Sequence, residues 1–444
     1  MSSFSSTSRW VLASVPLLAV PLSIPFLPIS QPDRFPPHPT TSTDGFYTRT
    51  QTPYGSLVMI ICHVRSAPER AGMMHLSWTP FPDGPASSKA WRIDKFASEG
   101  LKTSVDKSEG RGRWTGFNLV CPRAGSFQVG GENGRTKHIM ELSSADRGGA
   151  ELEHGRRERL VLETEQPRRW AIGGKNASDP TAGPEGWIGW LGSLLPIHWV
   201  VSSTGSKARW WIETLDDQGE VISKVGTGVE SDRQNGWEGE GIAHMEKNHG
   251  DSFPPSWIWV QNSTPLDDPS PFTFTLAGGH LPPMFPSIST QALPAEAYLA
   301  GLRVPSQGIE WDFKPPTTLR LFGWGPLNTI HRDAKQGTVK IDLINGWGTR
   351  RTVVESKADT KTFIPLSCPM PGGHTLPEEG YALESFCAQS TVKAFVRSGP
   401  WADWREVWRG EIKDGGLEFG GAWMNDLDGW KMGHGKREGE KKTA

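Results

Sequence analysis

From Phe46 to Ile412 the chain reads as short apolar or alternating runs cut by turn-forming clusters, which leaves room for strands and little for helices. Fifty-one glycines and thirty-six prolines supply the cuts. Ser56–Val64 is apolar and long enough for a buried strand, while Trp257–Gln261 and Phe272–Leu276 alternate with a period of two, as half-buried strands do. Arg113–Cys121 and Leu160–Glu165 alternate in part. Trp210–Thr214 and Gly219–Val225 flank Leu215–Gln218, whose Asp216-Asp217 pair invites a turn, so a hairpin is predicted there. Thr318–Phe322, Thr338–Ile344, Arg351–Glu355, Gly380–Phe386, Thr391–Val396 and Glu406–Ile412 repeat the pattern. Only Leu293–Leu302 predicts a brief helix.

Regular spacing of short strands predicts an all-β fold of sandwich or barrel type. A chain of 444 residues is too long for one ordinary core, so two domains packed side by side are expected. The breaker-rich GGHLPPMFPS stretch marks the boundary, giving β-domains over 46–282 and 283–425. Residues 30–45 form a Pro- and Ser/Thr-rich linker, and the charged, Gly-rich 426–444 reads as a disordered tail.

Arg9 followed by an apolar run up to Ile29 has the pattern of a secretory signal peptide over 1–29. Pro16, Pro21, Pro25 and Pro28 within that run argue against a stable membrane span. Asn176-Ala-Ser178 and Asn262-Ser-Thr264 fit the glycosylation acceptor rule. The four cysteines fall into two local pairs, Cys62 with Cys121 and Cys368 with Cys387, which suits two disulfides in an oxidising compartment; four buried thiols are the alternative. Together these features predict passage through the secretory pathway.

The formal net charge of −2 provides no basic field for a phosphate backbone, so nucleic acid is not an expected partner. The sequence contains no G-x-S-x-G elbow, phosphate-binding P-loop or H-E-x-x-H, and no cofactor or metal site is predicted. His244 and His249, five apart, do not stack on one helix face. Asp216-Asp217 and Asp267-Asp268 suit turns better than the facing carboxylates of a glycoside hydrolase.

Twenty-one tryptophans against four tyrosines are the chain's chemical signature. Trp is large, rigid and apolar with one N–H donor, which suits sheet cores and the walls of ligand pockets alike. Their density is highest from Trp187 to Trp259. There a His198-Trp199 strand leads into a hairpin, then into a loop with Asp232, Arg233, Asn235 and Trp237, then into Trp257-Ile258-Trp259. Polar groups among several Trp fit a mostly apolar pocket, and equally a hairpin loop whose Asp and Asn cap turns over packed rings.

That succession of elements resembles the hydroxyneurosporene-synthase and tocopherol-cyclase-like superfamily, and within it the fungal Diels–Alderases. The Gly-rich final strand, Gly415-Gly416-Leu417-Glu418-Phe419-Gly420-Gly421-Ala422, is similar as well. The loop here reads GVESDRQNGW where the family commonly has a GYHDKNWG-like form. The resemblance implies two lipocalin-like or sandwich β-domains with a pocket between or beside them, and a pericyclase of secondary metabolism acting on a small apolar polyene or quinone-methide precursor. A cycloaddition needs mainly an ordered conformer and a hydrogen-bond donor on a conjugated carbonyl. On this basis Asp232, Arg233, Asn235 and His198 are the catalytic candidates, and Trp199, Trp211, Trp237, Trp257, Trp259 and Trp324 the substrate-binding ones. A secreted lipocalin-like carrier and a terpenoid hydratase or lyase remain alternatives, and the oligomeric state is not legible.

Overall fold

Period-two alternation puts one set of side chains on each face of a strand, and most strands of this chain have something to bury on both faces. The computed structural model describes residues 35–84, 88–107, 114–130, 134–147, 157–170, 183–189, 195, 197–225, 230–265, 268–281 and 295–426. The expected signal peptide over 1–29, Asn176 and residues 427–444 lie outside them.

The first sheet is built from β1 (Thr43–Gln51), β2 (Gly55–Val64), β3 (Gly72–Pro80), β4 (Trp91–Ala97), β5 (Lys102–Lys107), β6 (Trp114–Cys121), β7 (Gly125–Gly130), β8 (Arg135–Leu142), β9 (Arg157–Glu165), β10 (Ile197–Leu215), β11 (Val221–Val225) and β12 (Gly239–Gly250). Its antiparallel order is β4-β3-β2-β1-β12-β10-β9-β8-β7-β6-β5, with β11 beside β10. The sheet curls around one core that joins Leu57, Leu76 and Trp78 to Phe117, Phe127, Leu162 and Trp210.

The second sheet contains β13 (Ser256–Ser263), β14 (Thr273–His280), β15 (Ala295–Val304), β16 (Ile309–Phe313), β17 (Arg320–Leu321), β18 (Asn328–Asp333), β19 (Thr338–Ile344), β20 (Arg350–Lys357) and β21 (Ile364–Leu366). After the small β22 (Pro369–Met370) and β23 (Gly373–His374) ladder, it is completed by β24 (Ala382–Val396) and β25 (Arg405–Gly421). The order is β16-β15-β14-β13-β25-β24-β20-β19-β18, around a second core centred on Ile258, Phe274, Tyr298, Leu343 and Phe419. The chain is therefore all-β and lipocalin-like, with two curled sheets.

Several local expectations change. The change of sheet falls at 251–255, so Trp257–Gln261 and Phe272–Leu276, read with the first half, hydrogen-bond into the second sheet. Leu293–Leu302 is not helical where described: Ala295–Val304 is a strand between β14 and β16, because Tyr298, Ala300, Leu302 and Val304 alternate into the core. Tertiary pairing overrides the helix propensity of its Ala and Leu. Gly380–Phe386 and Thr391–Val396 belong to one long strand, β24, bulged between Ser385 and Ser390. The β10–β11 hairpin forms as predicted, its turn closed by Asp216, whose side chain accepts from Gln218 and Glu220 N–H.

The four cysteines are buried free thiols, so the two disulfide pairings are not present. Cys62, on β2, and Cys368, between β21 and β22, line one cavity, and burial raises the Cys62 thiol to about 12. Asn262 is fully buried on β13 with Gly415 against its amide, a position with no space for a glycan. Among the described residues no helix is long and apolar enough to cross a membrane.

Candidate functional site

The two sheets meet through their outer faces. On β12, Ala243 and Met245 enter the first core, so His244 and Glu246 point the other way. On β13, Ile258 and Val260 enter the second core, leaving Trp257, Trp259 and Gln261 on the facing side. The same alternation on β25 buries Leu417 and Phe419 and turns Gly416, Glu418 and Gly420 to the interface.

Between the faces lies a cavity of about 200 Å³ lined by Glu185, Trp199, Trp257, Trp259, Leu299 and Glu418, among others. A second cavity of about 100 Å³ adjoins it and shares Glu246, Asn248, Phe253, Trp257, Trp259 and Glu418 as walls. Trp257 donates its indole N–H to Glu418 Oε1 at 2.7 Å, and Trp259 donates to Glu246 Oε2 at 3.1 Å. Glu246 Oε2 also contacts His244 Nε2 at 2.9 Å. Tyr47, from β1, donates to Glu384 Oε1 at 2.7 Å.

Three buried carboxyl groups thus share one low-dielectric region. Burial is the main cause that raises Glu418 to about 7, opposed by the Trp257 bond and reinforced by Glu246. Burial, and then the charge of Glu418, holds Glu384 well above the usual carboxylate range. A carboxyl group that titrates near neutrality on an apolar wall can donate a hydrogen bond or a proton. On the same wall system, the buried indole N–H of Trp199 has no hydrogen-bond partner among the described residues, so it can serve a ligand oxygen. Glu185 adds a further carboxyl group: it accepts from the Trp199 backbone N–H at 2.8 Å and lies 3.0 Å from His198 Nδ1.

The glycines of the final strand explain how these rings fit. A Cβ on Gly420 would stand 2.1 Å from the Trp257 ring, and one on Gly416 would stand 2.5 Å from the Trp259 ring. Each indole lies flat on bare backbone. Gly420→Ala is therefore expected to displace Trp257, break its bond to Glu418 and weaken ligand binding about tenfold or more, roughly the worth of one charge-assisted hydrogen bond. Titration calorimetry with an apolar ligand, next to a thermal melt, checks this.

Of the residues singled out from the sequence, Trp199, Trp257 and Trp259 come together at the cavity, and His198 supports it through Glu185. Asp232, Arg233 and Asn235 do not line it. They sit on α1 (Glu230–Gln234) and the turn after it, which close one end of the first core. There Trp210 donates to Gly236 O at 3.0 Å, Trp91 donates to Asn235 O at 2.7 Å, and Trp237 stacks on Trp91 at 4.1 Å. Here indole N–H groups take backbone carbonyls of the turn, over packed rings. Trp211 packs beside Glu213, Arg209 and Lys224 on the first sheet, and Trp324 is exposed on a loop of the second. Glu185, Glu246, Glu384 and Glu418 were not singled out. For Glu246, Glu384 and Glu418 the signal was a charged residue inside a strand, as in Leu417-Glu418-Phe419; Glu185 lies outside any strand.

No protein-family model and no curated protein matches the sequence. Among solved structures, the chain is similar to CghA over 89% of its own length and 95% of that chain, at 11% identity and a TM-score of 0.46. CghA with Sch210972 is similar over 85% of this chain and 88% of that one, at 11% identity and a TM-score of 0.44. Kievitone hydratase from Nectria haematococca is similar over 90% and 95%, at 9% identity and a TM-score of 0.36. Among the described residues no group of three or more His, Cys, Asp or Glu is placed to hold a metal ion.

Proposed function

We propose that this chain is an enzyme that encloses an apolar, unsaturated small molecule between its two sheets and promotes a stereoselective [4+2] cyclisation. The observation that carries the reading is Glu418: a carboxyl group raised to about 7 on the wall of an apolar, Trp-lined cavity. The walls select one folded conformer of a flexible polyene, which removes much of the entropic barrier before reaction. Glu418, protonated, donates to a carbonyl conjugated with the dienophile, where negative charge grows in the transition state. Trp199 N–H is a second donor that fixes the orientation of the same or another ligand oxygen.

A second reading, loss or addition of water, is favoured by one observation. Glu185, which pairs with His198 behind it, lines the same cavity as Glu418, which gives a carboxyl group that can accept a proton and an acid that can supply one.

The deciding experiment incubates the purified protein with a linear triene tethered to an unsaturated carbonyl. Faster conversion to a single isomeric stereoisomer supports cyclisation. Product that differs in mass by one water supports the second reading. Binding with neither rate enhancement nor altered stereochemistry overturns both and leaves a carrier.

A further inference from the structure

Seven large hydrophobic residues are exposed among the described residues, and five of them belong to the second sheet: Leu321 ends β17, and Phe322, Trp324, Trp347 and Trp401 lie on loops. The four loop residues come from three connections: 322–327 before β18, 345–349 between β19 and β20, and 397–404 between β24 and β25. In an antiparallel sheet these three leave the same end of the strands. The loops are also tied together. Ile344 N–H donates to Leu327 O at 2.8 Å, and Arg397 N–H donates to Thr349 O at 3.0 Å. The result is one rim with aromatic tips, Trp347 being 82% exposed and Phe322 68%.

Scattered exposed hydrophobics need no explanation, but a cluster at one rim does. Phe322 sharpens the point, since its φ of 52° is left-handed backbone that a bulky residue rarely adopts. The loop holds a strained conformation that keeps the ring out of the core, and such strain is concentrated at functional positions. The charges on and beside these connections are mainly positive: Arg350, Arg351, Arg397 and Arg405 stand against Asp403 and Glu406, in a chain whose formal net charge is −2. Arg351 is paired with Asp342, and Arg397 lies over the Trp404 ring at 4.2 Å.

We propose that this rim docks the protein on a bilayer surface carrying anionic phosphate headgroups. Trp and Phe at separate loop tips insert to headgroup depth, where an indole satisfies both its apolar ring and its N–H. Arg350 and Arg405 stand at the level of the phosphates and add electrostatic attraction to such a surface. Several short protruding rings with arginines between them match a fluid, anionic surface better than the flat, continuous patch that a protein partner buries. The rim is separate from the inter-sheet cavity and does not depend on the chemistry proposed there.

The test is co-sedimentation of the full chain with phosphatidylcholine vesicles, with and without phosphatidylserine. Wild type is expected to partition onto the anionic vesicles, less so at high salt because the arginines are screened. The combined variant Phe322→Ser, Trp347→Ser, Trp401→Ser should lose binding about tenfold or more, as expected when interfacial anchors are removed. Val221→Ser with Ile222→Ser, on the edge strand of the other sheet, should bind like wild type. Thermal melts confirm that each variant is folded. The proposal is overturned by a wild type that stays in the supernatant, by a triple variant that sediments equally, or by gel filtration showing that the rim instead joins two copies of the chain.

Discussion

Replacing Glu418 by alanine is expected to lower turnover by about a hundred- to ten-thousandfold, the range for removing a positioned acid. Ala also opens space beside Trp257, so the informative partner is Glu418→Gln. Gln keeps an N–H donor of similar shape but has no proton to transfer. If Glu418 only hydrogen-bonds a carbonyl, Gln should retain most of what Ala loses. If it protonates a leaving hydroxyl, Gln and Ala should be equally inactive. In both cases the protonated form is the active one, so kcat/KM should fall as pH rises through about 7. A flat profile in wild type would remove Glu418 from the mechanism.

The same shift acts on stability. Glu418 is raised from 4.5 to about 7 on folding, so the folded chain holds its proton over a range in which the unfolded chain has lost it. Its contribution is fully present below the ordinary carboxylate value and is lost as pH climbs through about 7. Glu384 acts in the same direction. His138 and His374 act oppositely: burial lowers them from 6.5 to about 3 and about 4, so their contribution is lost as pH falls through that window. Thermal melts across pH should show wild type losing stability toward alkaline pH, and Glu418→Gln losing less.

The strands were largely legible because alternation is a local signal. Ser56–Val64 and Thr338–Ile344 reappear with bounds shifted by at most one residue. What was not legible is which strand neighbours which. Glu246 and Glu418 are 172 residues apart and meet only because β12 packs across β13 and β25. Only Glu418 carried a local hint: a charge flanked by Leu417 and Phe419 in a strand has to find a use for its second face. The Asp232–Trp237 loop drew attention by density of polar and aromatic residues, yet the same density closes the end of a core. Trp199, Trp257 and Trp259 were found because alternation and Trp content coincide there. Residues 415–421 were read as a family-like strand, whereas their physical reason is the flat seating of two indoles.

Arg49→Met is expected to destabilise the chain by about 3–5 kcal/mol, the usual cost of removing one partner from a buried charge network. That is a large share of the roughly 5–15 kcal/mol that holds a domain folded. Arg49 is 1% exposed and leaves β1 to cross the interface. Its guanidinium donates to Gln261 on β13, to the Asp414 carbonyl on β25 at 2.5 Å, and to Ser56 Oγ at 3.1 Å, while lying 4.9 Å over the Phe386 ring. It is also a cation that favours the charged form of Glu384 against burial. Met fills similar volume, so the loss measures charge and hydrogen bonds more than a void. Three acceptors lose their donor, and Glu384 loses a compensating charge. Arg49→Lys keeps the charge but not the planar fork, and should fall between the two. Urea unfolding followed by Trp fluorescence gives the magnitudes. Acid supplies the control: a protonated Glu384 no longer needs a cation, so the deficit of Arg49→Met should narrow as pH falls and this carboxyl group takes up its proton. A deficit that is the same at every pH would mean that Arg49 holds the sheets together through hydrogen bonds alone.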